Sequence, residues 1–533
     1  MDPARPEARA VATTGDRIVA VGSERDMHAL IGPATRVIEI GDRLVLPGFI
    51  DAHTHFGNAA AWSFKIGLYD ARDTGAVLAK VREACARISD GLWISGGDVG
   101  AAAAWDADAR GEPRPVVPGL DRHDLDAAAP LHPVLVRRID GAYVANSLTL
   151  SRARFDRHTP DPRGGRIERD AAGEPTGILY GRAGERVFEL MPPANLATLK
   201  LGAKAALEDL RRAGITSIHD VARIDALSQQ AILHTDVERS ATPLELFREL
   251  QRDVELTVRV YAMLSLPLWR EALEAGIRPG ADEGLIRYGA MKAFIDGWLM
   301  EEPYVGSSYR GDFTFRFTDE ASIAADIRGA DEAGFDAVVH CVGDKAHRLL
   351  LDWYEAAIAA NPPRDRRFRV IHAWYPGARG IERIGRMGLI VDVTPQHLVN
   401  DAPALERKLG LERATYAHPW RSLVDAGARL NIVSDWPGSY NEQRITPLSP
   451  LENIALAVNR SCHPAQALTA EEALRAYTTG PAYASHEEDR KGSIAEGKIA
   501  DLVVLSADVH TVPLERICGI DVEATILGGR VLA

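Results

Sequence analysis

Asp51-Ala52-His53-Thr54-His55 closes the apolar run Leu44–Ile50. Residues i and i+2 of a strand project to one face, so an extended backbone here sets two imidazoles side by side. Neutral imidazole is the commonest protein ligand for a divalent metal. A bare His-x-His is weak evidence, and its place at the end of an apolar strand gives it weight. Four more residues suited to metal or acid–base work lie at the ends of later apolar runs. They are Lys292 in Met291-Lys292-Ala293-Phe294, His340, His372, and Asp435 in Val433-Ser434-Asp435-Trp436-Pro437. A lysine inside an apolar strand is costly unless paired or chemically altered. Lys292 therefore reads either as a structural ion pair or as a low-pKa amine that takes up carbon dioxide. The resulting carbamate could bridge two metals as a carboxylate does. His340 and His372 taken singly read equally well as core histidines. Taken with His53, His55, Lys292 and Asp435, they favour a metal site.

The elements that must position these residues alternate. Short β-branched runs occur at Leu44–Phe49, Ile215–Ile218, Leu256–Leu264, Leu285–Phe294, Ala337–Val339, Phe368–Ile371, Leu389–Val393 and Leu430–Val433. Between them lie stretches of helical periodicity such as Leu196–Ala213, Ala321–Ala333 and Lys345–Ala360. Strand-then-helix alternation over eight strands predicts a (β/α)8 TIM-type barrel with its site at the strands' C-terminal ends. Ile218 to Leu256 is 38 residues and Val339 to Phe368 is 29, each about one βα unit. Phe49 to Ile215 is 166 residues, so an insertion must follow the first strand, where it would serve as a lid or pocket wall. Strand-like runs at Arg17–Gly22, Arg36–Ile40, Asp501–Leu505 and Ala524–Leu532 predict one small β-sandwich built from both termini. The expected division is 1–45 with 488–533 for that domain, 46–92 with 181–487 for the barrel, and 93–180 for the insertion.

Composition limits the classes of function. The chain has 533 residues, 46% hydrophobic and 26% charged, with a formal net charge of −13. That is ample chain for a large core. The acidic balance argues against nucleic acid or an anionic membrane as partner. Four scattered cysteines do not form a disulfide framework and suit a reducing cytoplasm. No apolar run is long enough to span a bilayer. There is no Gly-x-Ser-x-Gly elbow, Walker A loop, Cys-x-x-Cys pair or dinucleotide fingerprint. The expected partner is a small-molecule substrate, with a homo-oligomer left open.

Leu46-Pro47-Gly48-Phe49-Ile50-Asp51-Ala52-His53-Thr54-His55 resembles the first-strand signature of the amidohydrolase superfamily of metal-dependent hydrolases. Asp124–Pro130, Gly173–Gly177, Gly214-Ile215-Thr216-Ser217-Ile218-His219-Asp220, Lys292…Asp296-Gly297, His340…Gly343-Asp344-Lys345-Ala346 and Ser434-Asp435-Trp436-Pro437 narrow it. Together with Gly492–Leu505 they resemble the amidohydrolase-3 branch, which includes N-substituted formamide deformylases. The resemblance implies one or two divalent ions, zinc by default, with His53 and His55 on the first, carboxylated Lys292 bridging, and His340 with His372 on the second. Asp435 would bind metal and shuttle the proton. It implies hydrolysis of an amide or formamide-like C–N bond by hydroxide made available at the metal. An esterase or lactonase on the same site is the alternative, with a non-catalytic scaffold third. His219, His397, Trp298 and Trp436 are candidates to line the substrate pocket, against a bland reading as packing. The sequence departs from the family's pattern at Ala142, Ile371 and Trp298–Glu302, which touches the pocket wall and none of the six ligands.

Overall fold

A computed structural model describes residues 7–62, 65–68, 71–99, 119–138, 142–192, 195–222, 242–296, 299–303, 305, 320–437 and 448–532. Eight parallel strands make the central sheet: β1 (Phe49–Thr54), β2 (Ile215–Val221), β3 (Arg259–Ser265), β4 (Ile286–Phe294), β5 (Asp336–Cys341), β6 (Arg369–His372), β7 (Ile390–Val393) and β8 (Arg429–Ile432). They pair in chain order, with a short antiparallel strand, Asp282–Glu283, added beside β4. The ends come round to meet. Asp435 N–H donates to the His53 carbonyl at 3.1 Å, and His55 N–H to the Trp436 carbonyl at 2.8 Å. This is the nearly closed (β/α)8 barrel that the alternation predicts.

Asp344–Ala360 and Gly377–Arg386 start without a side-chain cap, whereas Pro243–Arg252 has one. The Thr242 hydroxyl accepts from Glu245 N–H while the Glu245 carboxylate accepts from Thr242 N–H. Pro243 occupies the first turn, where its missing N–H costs nothing. Leu246, Phe247 and Leu250 form the buried stripe, and Phe247 stacks on Phe56 at 5.0 Å between centroids. Such a cap contributes about 1 kcal/mol, and each fully buried large apolar side chain contributes roughly 1.5–3 kcal/mol.

The expected first strand, Leu44–Phe49, is two strands of two sheets. Leu44–Pro47 pairs antiparallel with Leu502–Leu505 in a four-stranded sheet completed by Val522–Leu527 and Arg530–Val531. Gly48 makes the step into the barrel. A Cβ there would lie 2.3 Å from the Thr216 side chain, so only glycine lets the chain pass so close to β2. Both ends of the chain also meet where Ile18 N–H donates to the Lys498 carbonyl at 2.9 Å, next to the hairpin Ala10–Thr14/Arg17–Gly22. Arg36–Ile40, expected as a strand, is irregular, with Val37 and Ile38 about half exposed. β-branched residues favour extended backbone, but a strand also needs a ladder partner, and none pairs with this run among the described residues.

The chain divides into two compact units, one holding the barrel and both termini and the other Ala61–Asn195. The second is wider than the expected insertion, 93–180. Its six-stranded mixed sheet begins at Ile66–Gly67, which pairs with Ile94–Val99, and the helix Thr74–Cys85 buries Val77 and Val81 in the same core. At the other end Ala183 and Val187 of Arg182–Phe188 pack into this unit's second cluster. Residues 66–92 and 181–188 therefore belong to this unit and not to the barrel.

His347, fully buried in Asp344–Ala360, bonds through Nδ1 to the Gly343 carbonyl at 2.7 Å, and burial lowers its pKa from 6.5 to about 4. The unfolded chain binds the extra proton between these values, so stability falls as pH drops from 6.5 through 4. His347→Asn keeps a donor at that place and does not titrate. It should flatten the acid loss by on the order of 3 kcal/mol in denaturant titrations run at both ends of this window.

Candidate active site

Asp435 follows β8 with φ of 59°, and His372 ends β6 with φ of 72°. Neither is glycine, and such backbone persists only where neighbours over-determine it. For His372 they are the bond from Ala373 N–H to the Cys341 carbonyl at 3.1 Å and from Tyr375 N–H to the Val342 carbonyl at 2.9 Å. For Asp435 the hold comes from Asp51. Its buried carboxylate accepts from His53 N–H at 3.1 Å and from Ser434 N–H at 3.2 Å, clamping β1 to the turn after β8. Burial pushes Asp51 up to about 7 against these two bonds.

The side chains so placed converge on one carboxylate. His53 Nε2 and His55 Nε2 each lie 3.2 Å from Asp435 Oδ1. His397 Nε2 lies 3.8 Å and His372 Nε2 4.0 Å from Oδ2. Among the described residues, two groups therefore have ligand atoms mutually within 4.8 Å: His53, His55 and Asp435, and His372, His397 and Asp435. His372 Nδ1 lies 3.3 Å from the Thr394 hydroxyl, which leaves Nε2 for the cluster. The His340 ring meets His372 edge to face, 4.6 Å between centroids, but stands outside both groups. His397, expected at the pocket wall, takes a place in the second group from the first turn of Pro395–Leu409, just past β7.

Burial dominates the electrostatics. It drives His53 and His372 well below the ordinary histidine range, and it holds His340, with Lys292 adding to the effect, near 3. All three are neutral, the form that ligates. Burial alone would raise Asp435; His53 and His55 against it hold it well below the carboxylate range. Lys292 is 1% exposed, its Nζ has no hydrogen-bond partner, and burial lowers it to about 7. His53 and His397 likewise have neither ring nitrogen hydrogen-bonded, and Asp435 Oδ1 accepts none. Buried polar atoms without partners cost about 1–3 kcal/mol each. So many around one carboxylate fit a divalent cation, which would take one lone pair from each histidine and from the carboxylate.

Of the remaining expected residues, His219 is buried in β2 beside Tyr261, 4.9 Å between rings. Trp436 is half-buried after Asp435. Trp298 lies outside the described residues. The ring against His372 (5.8 Å) and His397 (5.0 Å) is Trp374, which the sequence did not single out. Also missed were Asp51 as a clamp and the buried charges Arg369 and Asp392. The signal for the last two was present, since each is a charged residue in an apolar run, as Lys292 is.

The chain matches the Amidohydrolase family over residues 36–533. It belongs to that family of metal-dependent hydrolases. It is 28% identical to the protein LONG AFTER FAR-RED 3 of Arabidopsis thaliana over 547 residues, covering 100% of this chain and 89% of that protein. It is 29% identical to an N-substituted formamide deformylase of Arthrobacter pascens over 525 residues, covering 94% and 90%. An uncharacterized metal-dependent hydrolase from Pyrococcus furiosus shares the fold, with TM-score 0.70, 23% identity, and 93% and 95% coverage.

Filling the cage should be visible as stability. Zinc added to chelator-stripped protein should raise Tm, by the equivalent of about 2.7 kcal/mol at a hundredfold excess over Kd. His53→Ala should abolish most of that rise in a thermal scan.

Proposed function

We propose that this amidohydrolase hydrolyses an amide or formamide-like C–N bond of a small molecule at one or two divalent ions, zinc by preference. The observation that carries the reading is the shared use of Asp435, one oxygen facing His53 and His55 and the other facing His372 and His397. His53, His55 and Asp435 would hold one ion. His372, His397 and the second oxygen would hold another, with His340 adjacent and Lys292, as a carbamate, between the two. Such ions, when bound, lower the pKa of water toward ~7 and polarise the scissile carbonyl.

The residues supply the rest. Asp435, ionised, accepts a proton at one oxygen and returns it to the leaving nitrogen, so that the amine departs neutral. The neutral histidines each leave one ring nitrogen available, and Trp374 packs against His372 and His397. The Arthrobacter pascens relative, named for formamide deformylation, supports the C–N class. The four cysteines are free, which fits a cytoplasmic location.

A panel of formamides, N-acyl amines and esters, offered to metal-replete protein, tests the reading. Formamides or N-acyl amines should turn over, and Asp435→Asn should lower kcat by about 10²–10⁴-fold. Ester turnover without amide turnover would move the enzyme to the esterase or lactonase class. Lys292→Ala should lose activity and regain part of it with added short-chain carboxylates. In wild-type protein, 13C-bicarbonate should label a carbamate seen by NMR. Normal activity in Lys292→Ala would remove the bridging role.

A further inference from the structure

Beneath the ligands, the barrel interior holds an arginine whose five N–H groups all have acceptors. Arg369 of β6 donates from Nε and Nη2 to Asp392 Oδ2 of β7, at 2.8 and 2.5 Å. Nη2 also donates to the Ala52 carbonyl of β1 at 2.5 Å. Nη1 donates to His219 Nδ1 of β2 at 3.1 Å and points to Met263 Sδ of β3 at 3.6 Å. The other oxygen of Asp392 accepts from Asn431 Nδ2 of β8 at 2.8 Å. The guanidinium thus ties five of the eight strands, and Asp392 adds β8. A lysine, with a point charge and three donors, would lose most of these contacts.

The pair is fully buried, with Arg369 1% and Asp392 0% exposed at the side chain. Desolvating two charges costs several kcal/mol per ion, and an apolar replacement is often neutral or stabilising. Stability is therefore a poor reason for the pair. Its contacts show another. Ala52 is the residue between Asp51 and His53, so the bond to its carbonyl fixes the height of β1 where the His53 and His55 pair begins. Guanidinium has no lone pair to offer, so His219 Nδ1 must accept, and the proton of that neutral ring sits on Nε2. A protonated ring nitrogen donates hydrogen bonds and does not ligate metal.

We propose that Arg369 is a positioning residue of the metal centre, setting β1 against Asp435 and, by fixing the His219 tautomer, keeping His219 out of the ligand set. This rests on the reading of His53, His55 and Asp435 as ligands. Burial, followed by the Arg369 charge, holds His219 well below the ordinary range, in agreement with a neutral ring.

The test uses zinc affinity by chelator competition, Tm of the metal-free protein, and the His219 tautomer by 15N-histidine NMR. Arg369→Met/Asp392→Leu should leave the metal-free Tm within a few degrees of wild type and weaken zinc binding by about 10–100-fold. Arg369→Lys, which keeps the charge beside Asp392, should weaken zinc comparably. Wild-type zinc affinity in either variant overturns the proposal, and Arg369→Lys decides it if the double variant fails to fold. Nδ1 protonation of His219 in wild-type protein overturns the tautomer assignment. Wild-type protein that takes up no zinc overturns the ligand reading itself, a result distinct from normal uptake with unchanged variants.

Discussion

Four imidazoles face the two oxygens of Asp435, and the site's architecture follows from bringing them there. No single strand could do so. His53 comes from β1 and His55 from just past it, His372 from the end of β6, His397 from beyond β7 and Asp435 from beyond β8. The chain must therefore close its sheet so that the first and last strands are neighbours, which is what the paired backbone bonds between 53–55 and 435–436 achieve. Two of the five residues are set in left-handed backbone, at a cost of roughly 1–2 kcal/mol each. That cost is borne because Asp51 and the bonds from the β5 end leave the turns no other path.

Below this mouth the interior is unusual for a packed barrel. Apolar residues such as Tyr261, Met263, Ala290, Val338 and Ile371 share it with Arg369, Asp392, Asn431, His219 and Lys292. Polar groups at such depth are tolerable only when mutually satisfied. Arg369 and Asp392 satisfy one another and anchor two neighbours. Among the described residues, buried atoms without partners include those around Asp435 and Lys292 Nζ, and deeper in the barrel also His219 Nε2, the Tyr261 hydroxyl and Asn431 Oδ1. The deficit gathers most densely around Asp435, as expected of a site that completes itself with a ligand.

Much of this was legible in the sequence because barrel strands announce themselves twice, as apolar runs and as termini bearing polar residues. That rule puts His53, His55, His372 and Asp435 at strand ends, where the structure has them, since the strand period and the chain order fix both face and end. What periodicity could not reveal was the break at Gly48. Leu44–Phe49 is continuous in hydropathy, and only the contact of Gly48 with Thr216 shows why it divides between two sheets. Nor could it reveal His397, which sits on a helix turn whose approach to Asp435 depends on loop geometry after β7. The extent of the second unit was missed for a related reason: its first strand, Ile66–Gly67, is two residues long and has no pattern of its own.

Lys292 shows how the lower charges shape the upper chemistry. Its interior neighbours include the carboxylates of Asp435 and Asp392 and the guanidinium of Arg369. Asp392 already receives Arg369 on one oxygen and Asn431 on the other, so it offers the ammonium no free oxygen. Asp435 lies among histidines. With burial against it and no carboxylate to itself, the amine gives up its proton near neutrality, at about 7. A neutral, buried primary amine is the form that attacks carbon dioxide, whereas a lysine salt-bridged to Asp392 would stay protonated and inert. The Arg369–Asp392 pair thus bears on Lys292 as well: it takes up one of the two carboxylates that favour the charged amine, and the Arg369 charge itself disfavours it.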